Sequence, residues 1–441
     1  MSPLARRRWS QDPRVLLVTR IYPLGILLFA LTYVRTHARA PHFGDEWRYL
    51  WYAKNLLAGY FSPRDNEMIW NGPGYPLALA PLLALGTSEL TLKLFNAALL
   101  AGAVWYVHRT LLFYCSPVRA MVGGLVVGLS PLAYQTLALL YTETFALFVM
   151  AGAVYHFCAA RRADASRDAI YAGLYAGVLA LTKVSFGPLV LGCLLVAAGF
   201  WLAHRRTRFV ARALVTFGLA FALCVPWLAY TRSISGKSFY WASGSGLLIY
   251  WMTTPYPDEL GDGLHHGHVK NVPWLYERHG KLFEQLIGDP TEVKDTELER
   301  ALPGLGRLGS VEADAVFWRV ARAQFAAHPG AYVRKWGFNV SRLFFDYPYT
   351  LKYVVDGTLV ALHVVLLGLL AFVLVGRVRG RLHLPVQLAA LGVVALVATG
   401  LATGLGAGVR YLLPLYPPYV LLALAGTAPE RRRGTALREG S

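Results

Sequence analysis

The chain has 441 residues, 56% of them hydrophobic and 15% charged, with a mean hydropathy of +0.42 and a formal net charge of +18. A soluble domain carries about a quarter charged residues, so an ordinary soluble fold is excluded; long apolar runs recurring along most of the chain make it an all-α polytopic membrane protein. The basic residues fall in short clusters between apolar runs, with no low-complexity tail or stacking surface, which excludes nucleic acid as the partner.

A span needs about 20 apolar residues. In chain order the candidates are 15–34, 90–108, 118–134, 143–160, 169–182, 186–203, 210–230, 352–375, 384–402 and 411–427, giving about ten transmembrane helices. The N-terminus begins basic (Arg6, Arg7, Arg8) but lacks a small-residue cleavage site after a short apolar core, so 15–34 is read as a retained first span. The stretch 169–203 is too long for one crossing, and Thr182-Lys183 marks a hairpin within it. The run 76–86 is too short to cross and reads as surface-lying or re-entrant. The cysteines Cys115, Cys158, Cys193 and Cys224 lie in or beside apolar runs without a C-x-x-C pair, so neither a disulfide framework nor a thiolate metal site is expected.

Charge sets the orientation. Clusters before the first span and around Arg109, Arg161, Arg205, Arg377 and Arg431 all fall on one side if the N-terminus is cytoplasmic. The outer segments are then 35–89, 135–142, the turn near 183, about 231–351 and the turn near 403–410. Three regions follow: an N-terminal transmembrane module (1–230) whose first external loop is 35–89, an external region (231–351), and a C-terminal transmembrane module (352–441) with a basic cytoplasmic tail. The external region holds about half of the 25 acidic residues and is expected to fold as a cap.

The outer face also collects the polar residues that packing explains least: Asp45 and Glu46, Glu143, Lys183 and Arg410. Ionisable groups at span ends face a cavity or a partner, and both signs of charge on one face suit a site that deprotonates one substrate and holds an anion of another. The segment Asp45–Ala58 reads as an interfacial helix with Arg48, Tyr49 and Tyr52 on the Asp45 face at i+3, i+4 and i+7. Trp47, Leu50, Trp51 and Lys54 are expected at the lipid interface, and Gly59 as the stop. The plain alternative is that Asp45 only caps this helix. Glu143 equally reads as a helix-start acid and Lys183 as a snorkelling lysine. Arg410 stands outside against the positive-inside trend, and a phosphate partner suits it.

The run His265-His266-Gly267-His268, with Asp258, Glu259 and Asp262 nearby, could hold a divalent metal, but its glycine-rich setting reads more simply as a polar loop, and no cofactor is expected. Pro226-Trp227 and Tyr240-Trp241 read as an interfacial belt. The G-x-G runs at Gly244–Gly246 and Gly404–Gly408 sit beside spans as close-packed turns, not as nucleotide cradles.

In order, these features are an acidic pair in the first external loop, Pro73-Gly74-Tyr75-Pro76, Thr142-Glu143, Leu181-Thr182-Lys183, Pro226-Trp227, and Arg410-Tyr411-Leu412-Leu413-Pro414. Together they resemble the GT-C superfamily of integral-membrane glycosyltransferases, and within it the protein O-mannosyltransferase and lipid A aminoarabinose transferase group. The resemblance implies a GT-C-like fold and an inverting enzyme at the extracytoplasmic face of a bacterial inner membrane. Such an enzyme moves a sugar from a polyprenyl-phosphate donor to a lipid, glycan or protein acceptor of the cell envelope. Carried over, it makes Asp45 the general base and Glu46 a supporting carboxylate. Glu143 lines the cavity, and Lys183 and Arg410 bind the donor phosphate. Tyr75, Tyr411 and Arg48 complete the substrate- and phosphate-binding set.

The rival readings are a transporter or flippase of lipid-linked sugars, and a non-catalytic subunit of envelope assembly. A transporter predicts charges spread through the bilayer and an inverted repeat, whereas here the charges gather at one face.

Overall fold

The computed structural model describes residues 13–38, 45–63, 68–163, 166–203, 207–257, 259, 261, 278–282, 310–345 and 409–425. The described elements are helical. They run α1 (Pro13–His37), α2 (Glu46–Leu57), α3 (Gly74–Ala84), α4 (Glu89–Leu111), α5 (Pro117–Gly128), α6 (Pro131–Leu137), α7 (Thr142–Ala163), α8 (Ser166–Thr182), α9 (Phe186–Leu202) and α10 (Arg208–Ser235). Then come α11 (Ser245–Thr253), α12 (Val311–Ala327), α13 (Pro329–Phe345), a 3-10 segment (Val409–Leu415) and α14 (Tyr416–Ala425).

Among the described residues four helices are long and apolar enough to cross a membrane: α4, α10 and most of α1 and α7. The expected span 118–134 is broken. Pro131 cannot donate a backbone hydrogen bond and pushes Ser130 out of the helical region (ψ 125°), so α5 and α6 meet at a 44° bend. The pair makes a fifth crossing if taken as one span. The hairpin expected inside 169–203 is present: α8 and α9 have 17 residues each, about 26 Å, and Lys183 lies between them. The two spans expected at 352–375 and 384–402 lie outside the described residues.

The last expected span, 411–427, departs from a plain helix. It enters through 3-10 turns containing Pro414 and becomes α-helical only at Tyr416, with Pro417 and Pro418 in the first turn, where a missing N–H is tolerated.

Without water there is no hydrophobic force between spans, so helices hold together by close packing and by polar contacts between them. The contact of α8 with α10 is of this kind. Gly173 and Gly177 sit so near the carbonyls of Thr216 and Ala220 that side chains there would collide. At the same crossing the Thr216 hydroxyl donates to Ala169 O at 3.0 Å.

A second, smaller core lies between α11 and α12. Leu247, Tyr250 and Trp251 of α11 pack on Ala313, Phe317 and Ala321 of α12. Asp314 caps this arrangement: its Oδ1 accepts the Gly246 N–H (2.6 Å) and the Ser245 hydroxyl (3.3 Å), and its Oδ2 accepts the Tyr240 hydroxyl (2.8 Å). Glu259 is buried against His279 (2.8 Å), whose other ring nitrogen meets the Tyr250 hydroxyl. The run His265–His268, with Asp258 and Asp262, lies outside the described residues.

Candidate active site

Asp45 stands at the N-cap position of α2, yet its side chain makes no capping hydrogen bond. Its oxygens go elsewhere. Oδ1 accepts from Arg48 Nη2 at 2.6 Å and Oδ2 from Arg410 Nη2 at 3.0 Å. The carboxylate therefore binds cations from opposite ends of the chain, with 29% of its side chain still exposed. Burial pushes its pKa up, but Arg48, Arg410 and Lys183 together outweigh burial and hold it below the ordinary aspartate value of 3.8. Asp45 is ionised at neutral pH.

Arg410 reaches further. Its Nε lies 3.8 Å from Glu143 Oε1, and its guanidinium lies over the rings of Tyr141 (4.8 Å) and Tyr411 (5.1 Å), with a hydrogen bond to the Tyr411 hydroxyl at 3.3 Å. Lys183 donates to the same Glu143 oxygen at 2.9 Å and sits 4.7 Å above the Tyr411 ring. Asp45, Arg48, Glu143, Lys183, Arg410 and Tyr411 thus form one continuous cluster, drawn from the starts of α2, of α7 and of the 3-10 segment, and from the α8–α9 turn.

The glycines of the first loop help to close it. A Cβ on Gly74 would strike the backbone of Leu181 and Thr182, so the start of α3 lies directly against the turn carrying Lys183. This close approach joins two motifs more than 100 residues apart.

Four expectations need correction. Tyr75 is wholly buried beneath Tyr49 and hydrogen-bonds Asn96 at 3.4 Å, so it supports the site from below and does not line it. Leu50 is buried, not at a lipid interface, while Trp47 and Trp51 are half-buried and Lys54 is exposed. The α2 turn comes where expected, with Gly59 at φ 88°. Trp227 does not form part of a lipid belt: it is buried against Phe61 and Tyr230, and its indole donates to Trp241 O at 3.1 Å. Glu46 points away from Asp45 into the protein, where it is paired with Lys93 at 3.1 Å and accepts the Leu140 N–H at 2.8 Å.

Sequence reasoning does not single out Lys93, Asn96 or Tyr141. Lys93 offers a signal: a lysine at the head of an apolar run, where an ionisable group calls for a partner. Tyr141 and Asn96 offer none, because aromatic and amide residues near span ends are common.

Two carboxylates, Asp45 and Glu143, face three cations, Arg48, Lys183 and Arg410. Among the described residues this cluster carries one positive charge in excess.

Residues 71–230 match the model of a family described as dolichyl-phosphate-mannose-protein mannosyltransferase. That segment contains Tyr75, Glu143 and Lys183; Asp45, Glu46 and Arg48 precede it, and Arg410 and Tyr411 follow it. Among solved structures, the chain is similar to ArnT from Cupriavidus metallidurans bound to undecaprenyl phosphate, with a TM-score of 0.40, 14% identity, and coverage of 93% of this chain and 76% of that one. It is similar also to the apo state of the same protein, with a TM-score of 0.39, 14% identity, and coverage of 96% and 77%. No curated protein matches the chain.

Proposed function

We propose that this multi-pass membrane protein is an inverting glycosyltransferase that takes a sugar from a polyprenyl-phosphate donor and passes it to an envelope lipid, glycan or protein. It works at the extracytoplasmic face of a bacterial inner membrane. The family match over residues 71–230 supports the class of reaction. The observation that carries the reading is the junction at Asp45, a carboxylate held between two arginines, one of which is also aligned with Glu143.

In this reading the donor phosphate lies against Arg410 and Lys183. Each of these shares its charge with a carboxylate, so a phosphate can compete for it. The acceptor hydroxyl lies against Asp45. Its oxygen attacks the anomeric carbon as the bond from that carbon to the phosphate oxygen breaks, Asp45 takes the proton, and the phosphate leaves with the bonding electrons. Fixed cations at that phosphate favour the transition state, where its charge grows. No nucleotide fold is called for, because the lipid phosphate is itself the leaving group.

Asp45→Asn removes the base and keeps the shape. Purified protein is supplied with undecaprenyl-phosphate mannose or undecaprenyl-phosphate aminoarabinose and envelope lipid, and released undecaprenyl phosphate is measured. The expected result is release by the native protein, a fall of about 1,000-fold or more in kcat for Asp45→Asn, and retained binding of undecaprenyl phosphate by native mass spectrometry. Full turnover by Asp45→Asn overturns the assignment.

A further inference from the structure

The buried pair of Glu46 and Lys93 lies outside the cluster that would meet substrate, yet both ends of it touch that cluster's framework. Lys93 is 2% exposed and Glu46 wholly buried, an ion pair at the head of α4 where charge is costly. One oxygen, Glu46 Oε1, accepts both from Lys93 Nζ at 3.1 Å and from the Leu140 N–H at 2.8 Å. One turn further along α4, Asn96 donates to the carbonyls of Leu139 at 2.8 Å and Leu137 at 3.4 Å, and accepts from the Tyr75 hydroxyl. This face of α4 therefore grips the 137–141 segment twice and the first residue of α2 once.

The neighbours of the gripped residues give the arrangement its meaning. Glu46 is bonded directly to Asp45. Leu140 is bonded directly to Tyr141, the ring beneath the Arg410 guanidinium. A single carboxylate oxygen thus ties the backbone beside the base to the backbone beside the aromatic support of the phosphate cation.

We infer that Lys93 and Glu46 are a positioning pair that sets the distance between Asp45 and Arg410, and so the register of acceptor hydroxyl against donor phosphate; this rests on the transfer reading given above. Neither residue touches substrate. Losing the Lys93 amine removes the cation that holds the Glu46 carboxylate at the head of α4, and a shift of Glu46 carries Asp45 with it, because the two are adjacent. The pair acts through geometry, so its loss is felt in the chemical step and not in donor capture.

Lys93→Met, Lys93→Arg and the double variant Lys93→Gln/Glu46→Gln test this, assayed with undecaprenyl-phosphate mannose or undecaprenyl-phosphate aminoarabinose beside native protein. Lys93→Met is expected to lose kcat by about 100-fold, the effect of a misplacement on the order of 1 Å, with the donor KM within about threefold of native. The double variant removes both charges but keeps an oxygen for the Leu140 N–H, and is expected to recover kcat to within about fivefold. Lys93→Arg keeps the charge and is expected to lie between the two. If Lys93→Met does not fold, Lys93→Arg carries the test: a lowered kcat with the donor KM within about threefold of native supports the inference, and a native kcat overturns it. A native kcat in folded Lys93→Met overturns the inference, as does a loss confined to the donor KM or a double variant no better than Lys93→Met. If the native protein itself releases no undecaprenyl phosphate, it is the transfer reading that fails.

Discussion

Arg410 and Asp45, 365 residues apart in the chain, meet at 3.0 Å, and the arginine is shared with Glu143 on its other side. The guanidinium thus contacts two carboxylates at once, and in the proposed transfer the phosphodiester anion of the donor competes with them for it.

Arg410→Ala is therefore expected to raise the donor KM by about 10- to 100-fold, the worth of about 1.5–3 kcal/mol for a charge-assisted contact, while the acceptor KM stays within about threefold. Arg410→Lys keeps the charge but loses the planar fork, and should recover only part of the affinity. Steady-state kinetics with each substrate varied separately checks both; equal effects on the two KM values would count against a phosphate role.

The pH response has a defined sign. The folded pKa of Asp45 is depressed, so its ion pairs stabilise the fold above the ordinary aspartate value of 3.8 and are lost as pH falls through the lower folded value. Between pH 5 and 8 neither stability nor the acid side of kcat/KM should respond to this group. In Arg410→Ala one of the cations lowering that pKa is gone, and the acid limb should move toward neutrality. A pH profile of kcat/KM on the two proteins reads this directly; an acid limb that stays in place speaks against Asp45 as the titrating base.

Gly74→Val places a side chain against the backbone of Leu181 and Thr182. The α3 start must then move off the turn that carries Lys183. The expected result is a loss of about 2–4 kcal/mol of stability together with a raised donor KM, read by thermal unfolding in detergent and by kinetics. A wild-type donor KM in a folded Gly74→Val would show that the contact does not set the lysine.

Asp314→Ala strips acceptors from the Gly246 N–H and from the hydroxyls of Ser245 and Tyr240 at once. Unmet buried donors cost about 1–3 kcal/mol each, with hydroxyls free to reorient. A net loss of about 2–4 kcal/mol is expected, confined to the α11–α12 core. Limited proteolysis should therefore cut first within α11 and α12 while the helices around the Asp45 cluster stay protected; uniform protection would contradict a separate second core.

The helical membrane class, the α8–α9 hairpin and the charged cluster are legible in the sequence, because a long apolar run suits little besides a span and a lone charge at its end demands a partner. Asp45, Glu143, Lys183 and Arg410 can be nominated on that ground alone, since charge at a span end is expensive. The break at Ser130 is signalled only by Pro131, in a run whose hydropathy hides it. Sequence does not reveal that Tyr75 and Glu46 are buried beside the cluster. Both belong to motifs with cluster residues beside them, and adjacency in a helix does not decide which way a side chain turns. The carbonyl contacts of Asn96 leave no mark in the sequence, since they depend on where an irregular segment about 40 residues away passes.

Arg410 lies 227 residues beyond Lys183, so its charge joins Asp45 and Glu143 only after the other four charged groups of the cluster have been made. During insertion Asp45 and Glu143 have Arg48 and Lys183 for company, and the last cation comes with the 3-10 segment at Val409–Leu415. Those four groups already balance, two carboxylates against two cations, and docking of that segment adds the one positive charge in excess. The cluster's net positive charge therefore depends on a segment made long after the residues it meets.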